Sequence, residues 1–200
     1  MARILIVTEK NAEGQQRAIV EKTKKDYGVL VGIRKVLLPD LQLAMPVRQM
    51  YEHLNLRSDS PFTRIQREML GTVVYGLISE ASCSCLGIHT EAVRRLTHDE
   101  SFGPDFVRGW PNYDLDPKTR ALLSYATKLT ETPGNIDDAD IEVLRAVGWD
   151  ERAIYEATAL ISFYNFSGRL EAAAGLTPDQ IPPDANFAEA IPDGRYTLES

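Results

Sequence analysis

An all-α fold of about seven helices is predicted for this chain of 200 residues. Apolar residues recur at the three-to-four spacing of helices along most of the length, and two helix starts are marked by a Ser or Asp before proline. Alternating strand patterns, glycine-rich phosphate loops, low-complexity tracts and internal repeats are absent from the sequence. The expected organisation is one helical domain over residues 1–176 and an extended proline-rich tail over 177–200.

Taken in order, Ile4-Leu5-Ile6-Val7 is a short extended start, and Gly14 to Tyr27 is a polar-rich helix. Asp40 to Asn55 carries Leu41, Ala44, Met45 and Tyr51 at helical spacing, with Pro46 as a break or kink. Ser60-Pro61 has the form of an N-cap and first-turn proline, opening a helix through Phe62, Ile65, Met69, Val73 and Leu77. A break at Ser79-Glu80-Ala81-Ser82 leads into a helix running to about Thr97, with Cys85, His89 and Val93 on one face. Asp116-Pro117 opens the next helix, which runs to Glu131 and closes at Thr132-Pro133-Gly134. Asp137 to Val147 is an acidic-start helix ended by Gly148. Asp150 caps a long helix whose apolar residues surround it nearly completely, as suits a core or an oligomer interface, and which ends near Gly175. The tail holds Pro178, Pro182, Pro183 and Pro192 and is expected to wrap the domain or a neighbouring subunit.

With 22 Lys and Arg against 29 Asp and Glu the formal charge is -7, and the basic residues are scattered, so a nucleic-acid backbone would meet mostly repulsion. No apolar run approaches the length of a signal-peptide core or a membrane span, which makes the cytoplasm the expected location. Two cysteines are too few for a disulfide scaffold, and in a reducing compartment they invite scrutiny as reactive groups. No cofactor is expected. Cys83, Cys85 and His89 are three soft ligands, but their spacing does not fit a closed tetrahedral zinc site and no fourth ligand accompanies them.

Cys85 and His89 lie four residues apart, one turn along the same helical face and within hydrogen-bonding reach. A first-turn position and a neighbouring imidazole both favour the thiolate, the nucleophilic form. Neutral His89 suits general acid-base work near neutral pH, with Glu68 or Glu80 as the carboxylate that orients it. On spacing alone core packing outweighs chemistry: Cys85 as a small buried hydrophobe, His89 as a hydrogen-bonded core histidine. Glu80, just before a helix, also fits a service to the helix dipole. Residues two apart in a helix point about 200° away from each other, so Cys83 reaches Cys85 only from a non-helical turn.

The stretch Arg67-Glu68-Met69-Leu70, followed by Ser82-Cys83-Ser84-Cys85-Leu86-Gly87-Ile88-His89, resembles the core of the carboxymuconolactone decarboxylase and alkylhydroperoxidase D-like superfamily. Its redox members carry a glutamate and then Cys-x-x-Cys-x-x-x-His. The chain is most similar to the uncharacterised peroxidase-related enzymes of that group, including the segments Arg120 to Leu129 and Phe163-Tyr164-Asn165-Phe166 with Arg169, and the resemblance covers about residues 10 to 175. It implies an alkylhydroperoxidase D-like helical domain assembling as trimers or hexamers. It also implies reduction of a small hydroperoxide at the expense of an external thiol or dithiol. Carried over residue by residue, Cys85 corresponds to the peroxidatic cysteine, His89 to the relay histidine and Glu68 to the relay glutamate, about two residues farther from the cysteine than the family pattern.

Ser82 stands where the resolving cysteine of the family would be, with the second thiol displaced to Cys83. Three outcomes follow: the helix begins at Ser84 and Cys83 resolves from the turn; Cys85 works alone, its sulfenic acid reduced by an external thiol while Ser82 donates a hydrogen bond to the sulfur; or the redox function is lost. Two rivals complete the range. One is a non-redox enzyme on the same fold using His89 and Glu68 as acid and base on a lactone or carboxylate. The other is a helical oligomer with a sensing thiol and no turnover.

Overall fold

The computed structural model describes residues 2–79, 84–176 and 182, with the side chain of Ser79 left aside. Glu80, Ser82, Cys83 and, apart from Pro182, the predicted tail from Thr177 onward lie outside the described residues. Among the described residues the chain forms nine α-helices and no strand. Seven are those expected: α1 (Gly14–Tyr27), α3 (Leu41–Tyr51), α4 (Arg64–Ser79), α5 (Ser84–Thr97), α7 (Pro117–Glu131), α8 (Asp138–Ala146) and α9 (Glu151–Ala174). Two short ones, α2 (Gly32–Leu37) and α6 (Phe106–Gly109), are additional.

Local chemistry sets most of the ends. Asp40 accepts from the amides of Gln42 and Leu43, Asp116 from Thr119 and Asp150 from Ala153, each satisfying a first-turn donor. Asp137 and Asp140 form a reciprocal capping box on α8. The expected opening of α4 at Ser60-Pro61 is wrong by three residues. Ser60 Oγ instead accepts from Phe62 N in a turn, at 3.3 Å. The cap is Thr63, whose Oγ1 accepts from Gln66 N at 3.2 Å while Gln66 Oε1 accepts from Thr63 N at 2.9 Å. Two partnered donors at Thr63 outweigh the single turn bond at Ser60. Pro46 does not end α3, which runs on to Tyr51 and widens into a π-turn over Glu52–Leu56.

Helix α4 is the centre of the domain and packs against α5, α7 and α9. Its Leu70, Val73 and Val74 meet Leu122, Leu123 and Ala126 of α7 and Leu160 and Ile161 of α9 in one dry core. Each large aliphatic buried there contributes roughly 1.5–3 kcal/mol, so this core decides how α4, α5 and α9 are held. A smaller cluster of Val7, Ala12, Val20, Leu30 and Leu38 seats the N-terminal segment, and Val7 N donates to Lys35 O at 2.8 Å. No helix among the described residues is long and apolar enough to cross a membrane.

Candidate active site

The site lies where α4, α5 and α9 meet, roofed by α2 and α3. Helix α5 presents Cys85 and His89 one turn apart, both buried and both lining a cavity of about 70 Å³. The cavity wall also includes Tyr27, Tyr51, Tyr75 and Phe163, with Arg34 from α2 and Arg48 from α3. Its size suits a small molecule rather than a polymer.

His89 is clamped. Its Nδ1 lies 2.5 Å from Glu68 Oε2, and Glu68 Oε1 accepts from Arg64 Nε at 2.5 Å and from Asn55 Nδ2 at 3.2 Å. Burial alone would raise the Glu68 carboxyl, but the Arg64 guanidinium and then His89 outweigh it and hold it at about 2. An ionised carboxylate only accepts, so Nδ1 carries the proton and Nε2 is the ring atom left for chemistry. The ring stacks on Tyr75, with centroids 5.1 Å apart, and meets Tyr164 edge-on at 5.1 Å. Gly71 of α4 lies directly behind it: a Cβ there would be 2.6 Å from Nδ1, so only glycine lets the ring reach Glu68.

Asn55 holds the carboxylate from the other side. The π-turn places it so that Nδ2 also reaches Tyr51 Oη at 3.0 Å, and its Oδ1 accepts from the Tyr164 hydroxyl at 2.7 Å. Burial is the main cause that pushes the hydroxyls of Tyr51, Tyr75 and Tyr164 above their usual range, with Glu68 adding to it at Tyr51 and Tyr164. These three are therefore neutral groups that shape and hydrogen-bond the site.

Cys85 has a partner that sequence reasoning missed. Glu171 of α9, 1% exposed, brings Oε1 to 3.1 Å from Cys85 Sγ and Oε2 to 3.1 Å from Cys85 N. The anion expected at the first turn of α5 was the thiolate; the structure puts a carboxylate there, with the thiol donating to it. Ser84 anchors the same corner, its Oγ accepting from Gly32 N at 2.9 Å. The signal for Glu171 was its place on α9: Tyr164, Ser167 and Glu171 fall on one buried stripe at three- and four-residue steps.

Of the residues singled out in the sequence, Cys85, His89 and Glu68 therefore share one site, with Glu68 bonded to His89 and Cys85 on the same cavity wall. Glu80, Ser82 and Cys83 lie outside the described residues.

These features define a class: an all-helical domain built around a buried cysteine and a glutamate-bound histidine that open on one small cavity. No protein-family model matches the sequence, and no curated protein does. Solved structures do. An uncharacterised peroxidase-related protein from Silicibacter sp. TM1040 superposes with a TM-score of 0.75 at 25% identity, covering 90% of this chain and 91% of that one. An alkylhydroperoxidase AhpD core, an uncharacterised peroxidase-related protein from Ralstonia eutropha JMP134, gives 0.76 at 18% identity over 89% and 92%. The debrominase Bmp8, as a cysteine-to-alanine variant in complex with 2,3,4-tribromopyrrole, gives 0.67 at 17% identity over 94% of each chain. The fold is that of the alkylhydroperoxidase AhpD core, and this likeness supports the resemblance of the sequence to the alkylhydroperoxidase D-like superfamily.

Proposed function

We propose that the protein is a thiol-dependent peroxidase in which Cys85 reduces a small hydroperoxide. The observation that carries this reading is the Cys85 thiol held 3.1 Å from a buried carboxylate at the edge of a cavity that His89 also lines. As Sγ attacks the peroxide, the S–O bond forms and the O–O bond breaks. Sulfur is oxidised to sulfenic acid and the peroxide is reduced to an alcohol. The thiol proton passes to Glu171 and from there, through a water held at His89 Nε2, to the leaving alkoxide. The net movement is one proton from sulfur to alkoxide. Glu68 fixes the ring so that Nε2 does this work. The sulfenic acid then condenses with a thiol, Cys83 or an external one, and a dithiol reductant returns Cys85 to the reduced state.

The test is mass spectrometry of the reduced protein after one equivalent of cumene hydroperoxide, with turnover followed in the presence of dithiothreitol. A protein lighter by two hydrogens indicates resolution by Cys83. A mixed disulfide with the added thiol indicates a one-cysteine cycle. An unchanged mass, or full turnover by Cys85→Ser, overturns the proposal.

The aromatic wall of Tyr27, Tyr51, Tyr75 and Phe163 favours one second reading, reductive dehalogenation of a halogenated ring. There the thiolate takes the halogen as a sulfenyl halide, the ring carbon gains a proton, and a second thiol releases halide and leaves a disulfide. Thiol-dependent bromide release from a bromopyrrole, without peroxide consumption, would select it. Assembly as a trimer or hexamer belongs to the same proposal, supported by Tyr155 and Phe166, apolar groups exposed on α9, and is tested by light scattering.

A further inference from the structure

The cavity wall carries two guanidinium groups, Arg34 and Arg48, and no carboxylate among its described residues. Arg48 is neutralised in place, its Nε 2.6 Å from Glu52 Oε1. Arg34 makes no side-chain hydrogen bond and no ion pair among the described residues. Burial first, and then Arg48 beside it, pull the Arg34 guanidinium down to about 10, which still leaves it cationic at neutral pH. Glu52, held by Arg48, offsets only part of this, and an anion placed beside Arg34 relieves the remaining cost of burying a cation there. The two carboxylates of the site do not supply it, because Glu68 is taken up by Arg64, Asn55 and His89, and Glu171 by Cys85. Val31, Ile33, Leu37 and Val47 make the rest of this side apolar.

Resting on the peroxidase reading of the same cavity, we infer that its substrate carries a carboxylate: a small apolar skeleton whose anionic head is held by Arg34 while its reactive end faces Cys85. The planar guanidinium can meet a carboxylate through two parallel N–H donors, which fixes orientation as well as charge.

Binding without turnover tests this directly. Benzoate and benzyl alcohol share a ring and differ in the head group, and each is titrated by calorimetry into the reduced, full-length protein. Benzoate should bind at least about tenfold tighter, the scale of one charge-assisted hydrogen-bonded contact. It should also slow alkylation of Cys85 by iodoacetamide, which places it in this cavity. Arg34→Met should bring the two affinities to near parity, and Arg34→Lys should restore part of the preference. Equal affinities, binding of neither probe, no protection of Cys85, or a preference that survives in Arg34→Met would overturn the inference. Failure of the peroxidase reading is read elsewhere, in an unchanged mass after peroxide, so the two can fail separately.

Discussion

Replacing Glu68 with glutamine removes the carboxylate that Arg64, His89 and Asn55 share, and its effect can be worked out from the folded and unfolded ionisation of one group. The Glu68 carboxyl moves from 4.5 to about 2 on folding. At about 1.4 kcal/mol for each pH unit of that displacement, the ionised group contributes about 3 kcal/mol, undiscounted because the side chain is buried. A depressed folded value gives stability that is present above 4.5 and is lost as the pH falls toward 2. Between pH 6 and pH 3 about 2 of those 3 kcal/mol should disappear. The assay is urea unfolding of the wild type and Glu68→Gln at pH 6, 5, 4 and 3. Other acids held low on the surface, such as Asp116 and Asp140, act in both proteins and cancel in the difference. The stability gap between the two proteins should narrow by about 2 kcal/mol across that range. A gap that stays constant with pH would show that the Glu68 ionisation is not what the fold depends on.

The remaining expectations concern the same site. Glu171→Gln keeps an acceptor near Cys85 but cannot take a proton, so the second-order rate with peroxide in stopped-flow should fall by about 10²-fold, the low end of what a positioned base supplies; an unchanged rate would remove Glu171 from the chemistry. Gly71→Ala places a methyl 2.6 Å from His89 Nδ1, so it should cost about 1–3 kcal/mol by urea unfolding and lower turnover, whereas wild-type behaviour would mean the ring is not pinned. Tyr51, Tyr75 and Tyr164 should stay neutral in an alkaline ultraviolet titration until the protein unfolds. Titration of all eight tyrosines in one folded-state step would refute the burial of these three.

Four of the helices that could be read from the sequence have starts that carry a side-chain acceptor. Asp40, Asp116, Asp137 and Asp150 each bond first-turn amides, and the expected helices begin beside them. Helix α2 could not be read this way, because Val31 at its N-terminus offers no side-chain cap and six residues give too little periodicity. The start of α4 was misplaced because two cap-like residues, Ser60 and Thr63, stand three apart and only the second has its partner glutamine. In the site, the one-turn spacing of Cys85 and His89 was legible, and Glu68 was legible from its Arg-Glu-Met setting. Asn55 was not, because the π-turn breaks the 3.6-residue period that would locate its side chain. Glu171 was not, because a lone acid near the end of an apolar helix reads as a solvated end; only its alignment with Tyr164 and Ser167 marks it as inward-facing.

The wide turn at Glu52–Leu56 has a consequence for how this site can change over time. A regular helix advances about 100° for each residue, so a single deletion in that turn would swing Asn55 away from Glu68 and Tyr164 together. Point substitution can adjust the strength of each contact one at a time, but loss of one residue would break them as a set. Length, more than composition, is what this short stretch has to preserve for the glutamate clamp to stay closed.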